Sequence, residues 1–278
     1  MEIAEETELV ARAVAGDPAA LRDVLEILQD PLYRLALRMT GRPADAEDAV
    51  QEILIRVITR LSTWRGEAKL LTWAYRVGAN YLISQHRRTA AERAQVSLDE
   101  FGADLLDGLA AADFRGPEAA LLAEEVRLSC TQAMLQCLSR DERIAFVLGE
   151  LFGLAASEAA WILDITPAAY QKRWERARHR LGEFLRSACG VANPAARCRC
   201  ARRVVRAGEL GRVDIGHPVY TKHAVRPGGR TVAEAAAQLS TLRDAAAVLG
   251  AHPDYAAPRE KIAAIGALVG SGRFSVLD

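Results

Sequence analysis

Apolar residues recur along this chain at helical spacing and hardly ever alternate. Leu32, Leu35, Ala36 and Met39 share one helix face, and Val50, Ile53, Leu54, Val57, Ile58 and Leu61 share the next. Gly41-Arg42-Pro43 separates the two, because glycine ends a helix readily and proline cannot continue one. The pattern predicts an all-α chain of two small helical domains, over 1–95 and 119–187. Between them, 96–118 reads as an acidic flexible linker, in which 97–118 holds six acids against Arg115 alone. An extension over 188–278 follows. It opens irregularly, Cys189 to Arg230 being rich in Gly, Pro, Arg and His, and ends in a helical pair around His252-Pro253 and Pro258. Val232, Ala235, Ala236, Leu239, Leu242, Ala246 and Leu249 mark the first of these helices, and Ile262, Ile265, Leu268 and Val269 the second. Two short helices cannot bury their own apolar faces, so the pair is expected to pack on the domains before it.

Composition narrows the classes. The 278 residues are half apolar and carry 36 basic against 36 acidic side chains, so net charge names no partner. Its distribution says more: basic residues gather at 86–93, 172–186 and 197–206, and acids at 99–118. No apolar run approaches the roughly 20 residues of a membrane span. The acidic stretch Met1 to Asp17 lacks the apolar core of a signal peptide. Five cysteines, an odd number, then suit free thiols in a reducing compartment, and the expected location is cytoplasmic.

The clearest motif lies at 157–186. Ser157 is suited to cap a short helix carrying Ala160, Ile162 and Leu163; Asp164-Ile165 makes a turn, and Thr166-Pro167 opens a basic helix. Upstream, Ser139-Arg140-Asp141-Glu142 fits a capping box for a supporting helix through Phe146, Val147 and Leu148. A short helix, a tight turn and a basic helix form a helix-turn-helix, which brings side chains from the start of the second helix into a major groove. The candidate contacts are Thr166, Pro167, Gln171, Lys172, Arg173, Arg176 and Arg178, with lysine and arginine neutralising phosphates. An ordinary helical hairpin with a charged outer face shares this pattern.

Farther upstream, Trp64, Trp73, Tyr75 and Tyr81 precede the basic run His86-Arg87-Arg88. Aromatic rings beside basic residues suit a surface that stacks on unpaired bases while holding their backbone. Tyr75, Asn80, Tyr81 and Arg87 are the candidates, whereas Trp73 shares a face with Val77 and fits a core position equally well. Asp45, Glu47, Asp48, Gln51 and Glu52 form a charged helix face. No histidine accompanies these acids, so a protein-binding face is expected there rather than catalysis or a metal.

Taken together, these segments resemble a known family. DAEDAVQE at 45–52 and WRGEAKLLTWAYRVGANYLISQHRR at 64–88 resemble the N-terminal domain of extracytoplasmic-function (ECF) sigma factors, of the sigma-70 family. LSRDERIAFVLGELFGLAASEAAWILDITPAAYQKRWERARHRL at 138–181 resembles their C-terminal domain, in the family's order. The resemblance implies a transcription initiation factor without catalysis or a required cofactor, whose partners are core RNA polymerase and promoter DNA. It implies that Asp45, Glu47, Asp48, Gln51 and Glu52 dock on the polymerase clamp helices. It further implies that Trp73, Tyr75, Asn80, Tyr81, Arg87 and Arg88 open and hold the −10 element, and that the helix from Thr166 reads the −35 element. The acidic linker would run through the enzyme, mimicking nucleic acid. Three positions depart from the family pattern: Asp164 where Gly is common, and Tyr170 and Trp174 where smaller aliphatics are usual.

A sigma factor of this kind would end near residue 187, so the extension needs its own account. Cys189, Cys198 and Cys200 place three thiols within twelve residues. They could bind zinc or copper, with His179, His217 or His223 as a fourth ligand, sense redox state, or sit inert. The helical pair suggests a built-in regulator, replacing or supplementing a separate anti-sigma protein, or else an independent appendage. The rival assignments are a stand-alone helix-turn-helix regulator, which leaves 45–88 unexplained, and a metal-dependent enzyme. For the latter no nucleophile–base pair, phosphate-cradling loop or H-E-x-x-H pattern exists.

Overall fold

The structure, a computed structural model, describes residues 2–84, 97–241 and 245–259. His86, Arg87, Arg88, Leu242 and the expected helix through Ile262, Ile265, Leu268 and Val269 lie outside the described residues. Within them the regular structure is helical, with two isolated β-bridges. No helix among the described residues is long and apolar enough to cross a membrane.

The first unit comprises α1 (Ile3–Val14), α2 (Pro18–Thr40), α3 (Pro43–Thr59) and α4 (Leu70–Ser84). Asp17 caps α2 by accepting from the amides of Ala19 and Ala20, and Pro18 supplies a φ already suited to the first turn. Gly41, at φ +79°, ends α2 in the left-handed region that favours glycine, and Pro43 starts α3. The buried Glu6 of α1 accepts from Leu70 N at 2.8 Å and so caps α4 from across the unit. Leu28, Leu32, Leu35, Ile53, Leu54, Leu61 and Leu70 are all fully buried among these helices.

The segment expected to be a flexible linker instead contains α5 (Leu98–Leu106). Ser97 and Glu100 form a reciprocal capping box, and Leu98, Phe101 and Leu105 bury one face, Phe101 lying 5.8 Å from Phe184 between ring centres. The second unit follows: α6 (Ala119–Gln136), α7 (Arg140–Phe146) running into a π-helical turn (Val147–Leu151), α8 (Ala156–Leu163) and α9 (Pro167–Ala188).

The extension supplies α10 (Cys200–Glu209), α11 (Val232–Thr241) and α12 (Ala245–Gly250). The stretch from Cys189 to Arg230, expected to be irregular, thus holds a helix. Val204 and Ala207 of α10 pack with Leu122 and Val126 of α6, while its arginines meet the acids of the linker. Leu239, Val248 and Leu249 join Leu135, Leu138 and Leu181 in one core, so the extension is built into the second unit.

The two units also meet each other directly. Arg143, 1% exposed on α7, donates to Leu135 O (2.9 Å), Gln136 O (3.2 Å) and Leu138 O (3.1 Å) at the end of α6. The same guanidinium donates to Met39 O in the last turn of α2. One buried cation therefore satisfies carbonyls that two helix ends leave open.

Candidate nucleic-acid interface

The helix-turn-helix is α8, a turn at Asp164, and α9. Asp164 takes φ 54°, ψ 45°, the left-handed conformation that aspartate tolerates in place of glycine. Thr166 caps α9 by accepting from Ala169 N at 3.2 Å, with Pro167 at the first helical position. The cap of α8 differs from expectation. Ala155 holds the N-cap position, and Ser157 sits inside the first turn. At Ser139 only half of the expected box forms: its hydroxyl accepts from Glu142 N, while the Glu142 carboxylate accepts from that hydroxyl and from Arg180.

The outward face of α9 presents Lys172, Arg176 and His179, all exposed, with Gln171 half-buried and hydrogen-bonded to Glu175 at 3.0 Å. The flanks are braced from α7 and the π-helical turn. Arg173 stands 3.5 Å from Asp141, Arg176 3.9 Å from Glu142, and Arg178 3.8 Å from Glu150 while lying over the Trp174 ring. These long, half-exposed pairs orient the arginines without consuming their charge. The two bulky departures on the inward face have a structural counterpart in Gly149. Tyr170 is 2% exposed and donates to Ala145 O, and Trp174 donates to Glu150 at 3.1 Å. A Cβ on residue 149 would collide with the Tyr170 hydroxyl and lie 3.1 Å from Trp174. Gly149→Ala is therefore expected to cost about 1–3 kcal/mol by overpacking. Thermal unfolding reads this directly, and Gly149→Ala combined with Tyr170→Phe should recover much of the loss.

The aromatic helix α4 faces α8. Thr72 donates to Glu158 at 2.6 Å, and Arg76 donates to Asp164 (2.8 Å) and Trp161 O (3.2 Å) while covering the Trp161 ring. Tyr75 is consequently not open to an unpaired base in this arrangement. Its ring is 7% exposed and packs 5.5 Å from Phe152, and burial pushes its phenol up to about 12. Trp73 is half-buried and lines a groove with Trp64, Arg76 and Trp161. Asn80 is exposed, and Arg56 lies over the half-buried Tyr81 ring at 4.7 Å.

On α3, Asp48 is exposed and Asp45, Glu47, Gln51 and Glu52 are half-buried, Glu52 pairing with Arg56 at 2.5 Å. A strap of the extension crosses the start of this helix. Tyr220 donates to Gly41 O, and His223 stacks on Tyr33 of α2 at 5.3 Å. The strap is held from beneath by Glu125, 1% exposed on α6, whose carboxylate accepts from Val219 N (2.8 Å), Tyr220 N (2.9 Å) and Thr221 N (2.7 Å). Nothing in the sequence around Glu125 distinguishes it from a surface glutamate. The linker acids are engaged as well: Asp107 with Arg206 at 2.6 Å, Asp113 with Arg202 at 3.1 Å, and Asp104 with Arg203 and Arg212.

Comparison with known proteins gives this geometry a family. Sigma-70 region 2 matches residues 24–92. The ECF RNA polymerase sigma-E factor of Escherichia coli (strain K12) is 31% identical over 175 residues, covering 61% of this chain and 88% of that protein. This chain belongs to the ECF sigma factors. The RNA polymerase sigma-H factor of Pseudomonas aeruginosa is 27% identical over 186 residues, covering 65% of this sigma factor and 94% of that protein. Among solved structures, CnrH in complex with the cytosolic domain of CnrY matches with a TM-score of 0.45 at 22% identity, covering 64% and 94% of the two chains. The sigma factor RpoE in complex with the anti-sigma factor NepR from Bartonella quintana matches with a TM-score of 0.42 at 22% identity, covering 59% and 96%.

In this sigma factor the thiols at the start of the extension gather, and a fourth joins them. The backbones of Cys189 and Cys198 pair in an isolated parallel β-bridge with both thiols free, and Cys130 of α6 packs against their cluster. Cys200 and Cys130 each lie one turn from a pair of packed valines, Val204 and Val126. Burial pushes Cys198 up to about 11, Cys200 up to about 12, and Cys130 well above the usual thiol range. The histidines considered as a fourth ligand are engaged elsewhere: His179 beside Glu183, His217 beside Asp214, and His223 on Tyr33. Among the described residues no three His, Cys, Asp or Glu side chains stand where they could share a metal ion.

Proposed function

We propose that this sigma factor joins core RNA polymerase through the α3 face at Asp45, Glu47, Asp48, Gln51 and Glu52. It reads the −35 element with α9, through Thr166, Pro167, Gln171, Lys172, Arg173, Arg176 and Arg178. It opens the −10 element with the end of α4 and the residues beyond it, including Trp73, Tyr75, Asn80, Tyr81, Arg87 and Arg88. It acts without catalysis of its own, and its extension holds it closed until a signal releases it. The observation that carries this reading is the simultaneous engagement of three working parts. The strap at Tyr220 bonds the turn at Gly41 that leads into α3, α8 covers Tyr75-bearing α4, and four arginines of the extension pair with three of the linker acids, Asp104, Asp107 and Asp113. A stand-alone helix-turn-helix regulator has no use for an acidic helix face and an aromatic helix in a separate unit.

The test is in-vitro transcription from a pooled promoter library with bacterial core RNA polymerase and the full chain. Specific start sites sharing two sequence elements are expected once the closed form is loosened, as by the Glu125 substitution considered below. Lys172→Ala and Arg176→Ala should each lower transcription by about 10-fold and reduce the salt slope of promoter binding by about one. Transcripts lacking any shared −35 sequence, or indifferent to both substitutions, would remove α9 from the reading.

A further inference from the structure

A cavity of about 270 Å³ lies where the two units and the extension meet. Arg34 and Arg38 of α2, Tyr75 of α4, Phe152 after the π-helical turn, and Arg226 and Arg230 of the extension contribute to its wall. Against these four guanidinium groups the lining offers, among the described residues, one acid, Asp254. That carboxylate is 3.6 Å from Arg34 and 3.7 Å from Arg226, and it also accepts from Arg230 N at 2.9 Å. The Arg230 side chain donates to neutral acceptors, His252 O, Gly250 O and Gln238 Oε1, so its charge is left uncompensated.

Arg38 is the anomaly. It is 8% exposed, yet among the described residues its Nη1 has no hydrogen-bond partner and no carboxylate pairs with it. Burial pushes the guanidinium down to about 10, and Arg127 and Arg230 add repulsion. His252 Nδ1 and Tyr255 Oη, on two further lining residues, are also buried without partners among the described residues. Proteins tolerate a buried, unpaired cation only where something compensates it.

We propose that this cavity binds a small phosphate-bearing anion, which fastens the extension to both sigma units. Three uncompensated positive charges call for a multiply charged ligand, and guanidinium forks match the oxygens of a phosphate. The volume admits inorganic phosphate or a small phosphate ester. The rings of Tyr75 and Phe152 leave an apolar wall for the carbon part of an ester.

Calorimetry and thermal unfolding of the full chain with sodium phosphate, against sodium chloride and acetate at equal ionic strength, test the proposal. Phosphate at about a hundred times its Kd should raise Tm by about 4 °C or more, saturably. It should also slow limited proteolysis of the extension. Arg226→Gln alters a half-exposed side chain and should weaken phosphate at least about 10-fold. Arg38→Met should raise Tm without phosphate and abolish the response to it, by removing an uncompensated buried charge. If Arg38→Met does not fold, Arg226→Gln decides alone. Equal stabilisation by chloride or acetate, or a phosphate affinity that Arg226→Gln leaves unchanged, would mean an adventitious ion only and overturn the site. Binding that leaves proteolysis of the extension unchanged would overturn the fastening. The transcription assay reads the sigma assignment separately.

Discussion

Glu125→Gln should tighten binding to core RNA polymerase by about 10-fold or more and raise transcription in proportion. The buried carboxylate receives three consecutive backbone amides of the strap. Hydrogen bonds to a charged group contribute about 1.5–3 kcal/mol each, and a glutamine of the same shape offers one oxygen and turns an NH2 toward a donor. A loss of about 2–4 kcal/mol shifts a closed–open equilibrium by about 30- to 1000-fold, only part of which reaches the polymerase if the open form is already populated. Tyr220→Phe removes one hydroxyl donated to Gly41 O and should act in the same direction but more weakly. Titration of labelled core enzyme with the full-length variants measures both. Should the strap become open to protease while polymerase affinity stays unchanged, the strap would not be what restrains the factor.

Arg143→Met is the substitution expected to damage the fold most. It leaves four carbonyls at the ends of α2 and α6 without their shared donor, at a position where Arg143 itself is buried. Each buried acceptor left unsatisfied costs about 1–3 kcal/mol before relaxation, so the four together correspond to a fall in Tm of about 10 °C or more. Arg143→Lys keeps the charge but not the planar fork and should recover only part of the loss. Because one of the carbonyls belongs to Met39, the variant should also loosen the first unit against the second. Near-ultraviolet circular dichroism and thermal unfolding follow both effects; a fall in Tm of under about 2 °C would assign the four bonds little net stabilisation.

The parts of this fold that were legible in the sequence are those with local causes. Gly41 and Pro43 end one helix and start the next, and Thr166-Pro167 opens α9, because each acts through its own backbone. The helix within the linker was legible in principle, since Ser97 and Glu100 form a capping box and Leu98, Phe101 and Leu105 share a face. The weight of acids there suggested a solvated coil instead. The same holds for α10, where abundant arginine concealed that Val204 and Ala207 face inward. Ser157 misled in another way: a good capping residue stood two positions beyond the cap. Of the candidate site residues, Lys172 and Arg176 are exposed on α9, whereas Tyr75 is covered by Phe152 from the other unit. Covering of that kind, like the convergence of Cys130 on Cys189 and Cys198, arises from contacts far apart in sequence. Local patterns also cannot show that Glu125, Arg38 and Arg143 point inward, since charged residues are ordinarily solvated.

The strap follows both sigma units in the chain, while the groups that anchor it, Gly41, Tyr33 and Glu125, lie within them. Their order of synthesis therefore matters. Bacterial ribosomes add about 5–20 residues per second, so the roughly seventy residues from Ala188 to Ala257 take about 4–14 s to make. Early in that interval both units have been synthesised while Tyr220, His223 and Asp254 are still to be added. Under the closed arrangement proposed above, each nascent chain would pass through a stage in which the α3 face is made and the strap is not. Closure would then be acquired after synthesis, and the pool of open factor would scale with the rate of translation as well as with the rate at which finished chains reopen.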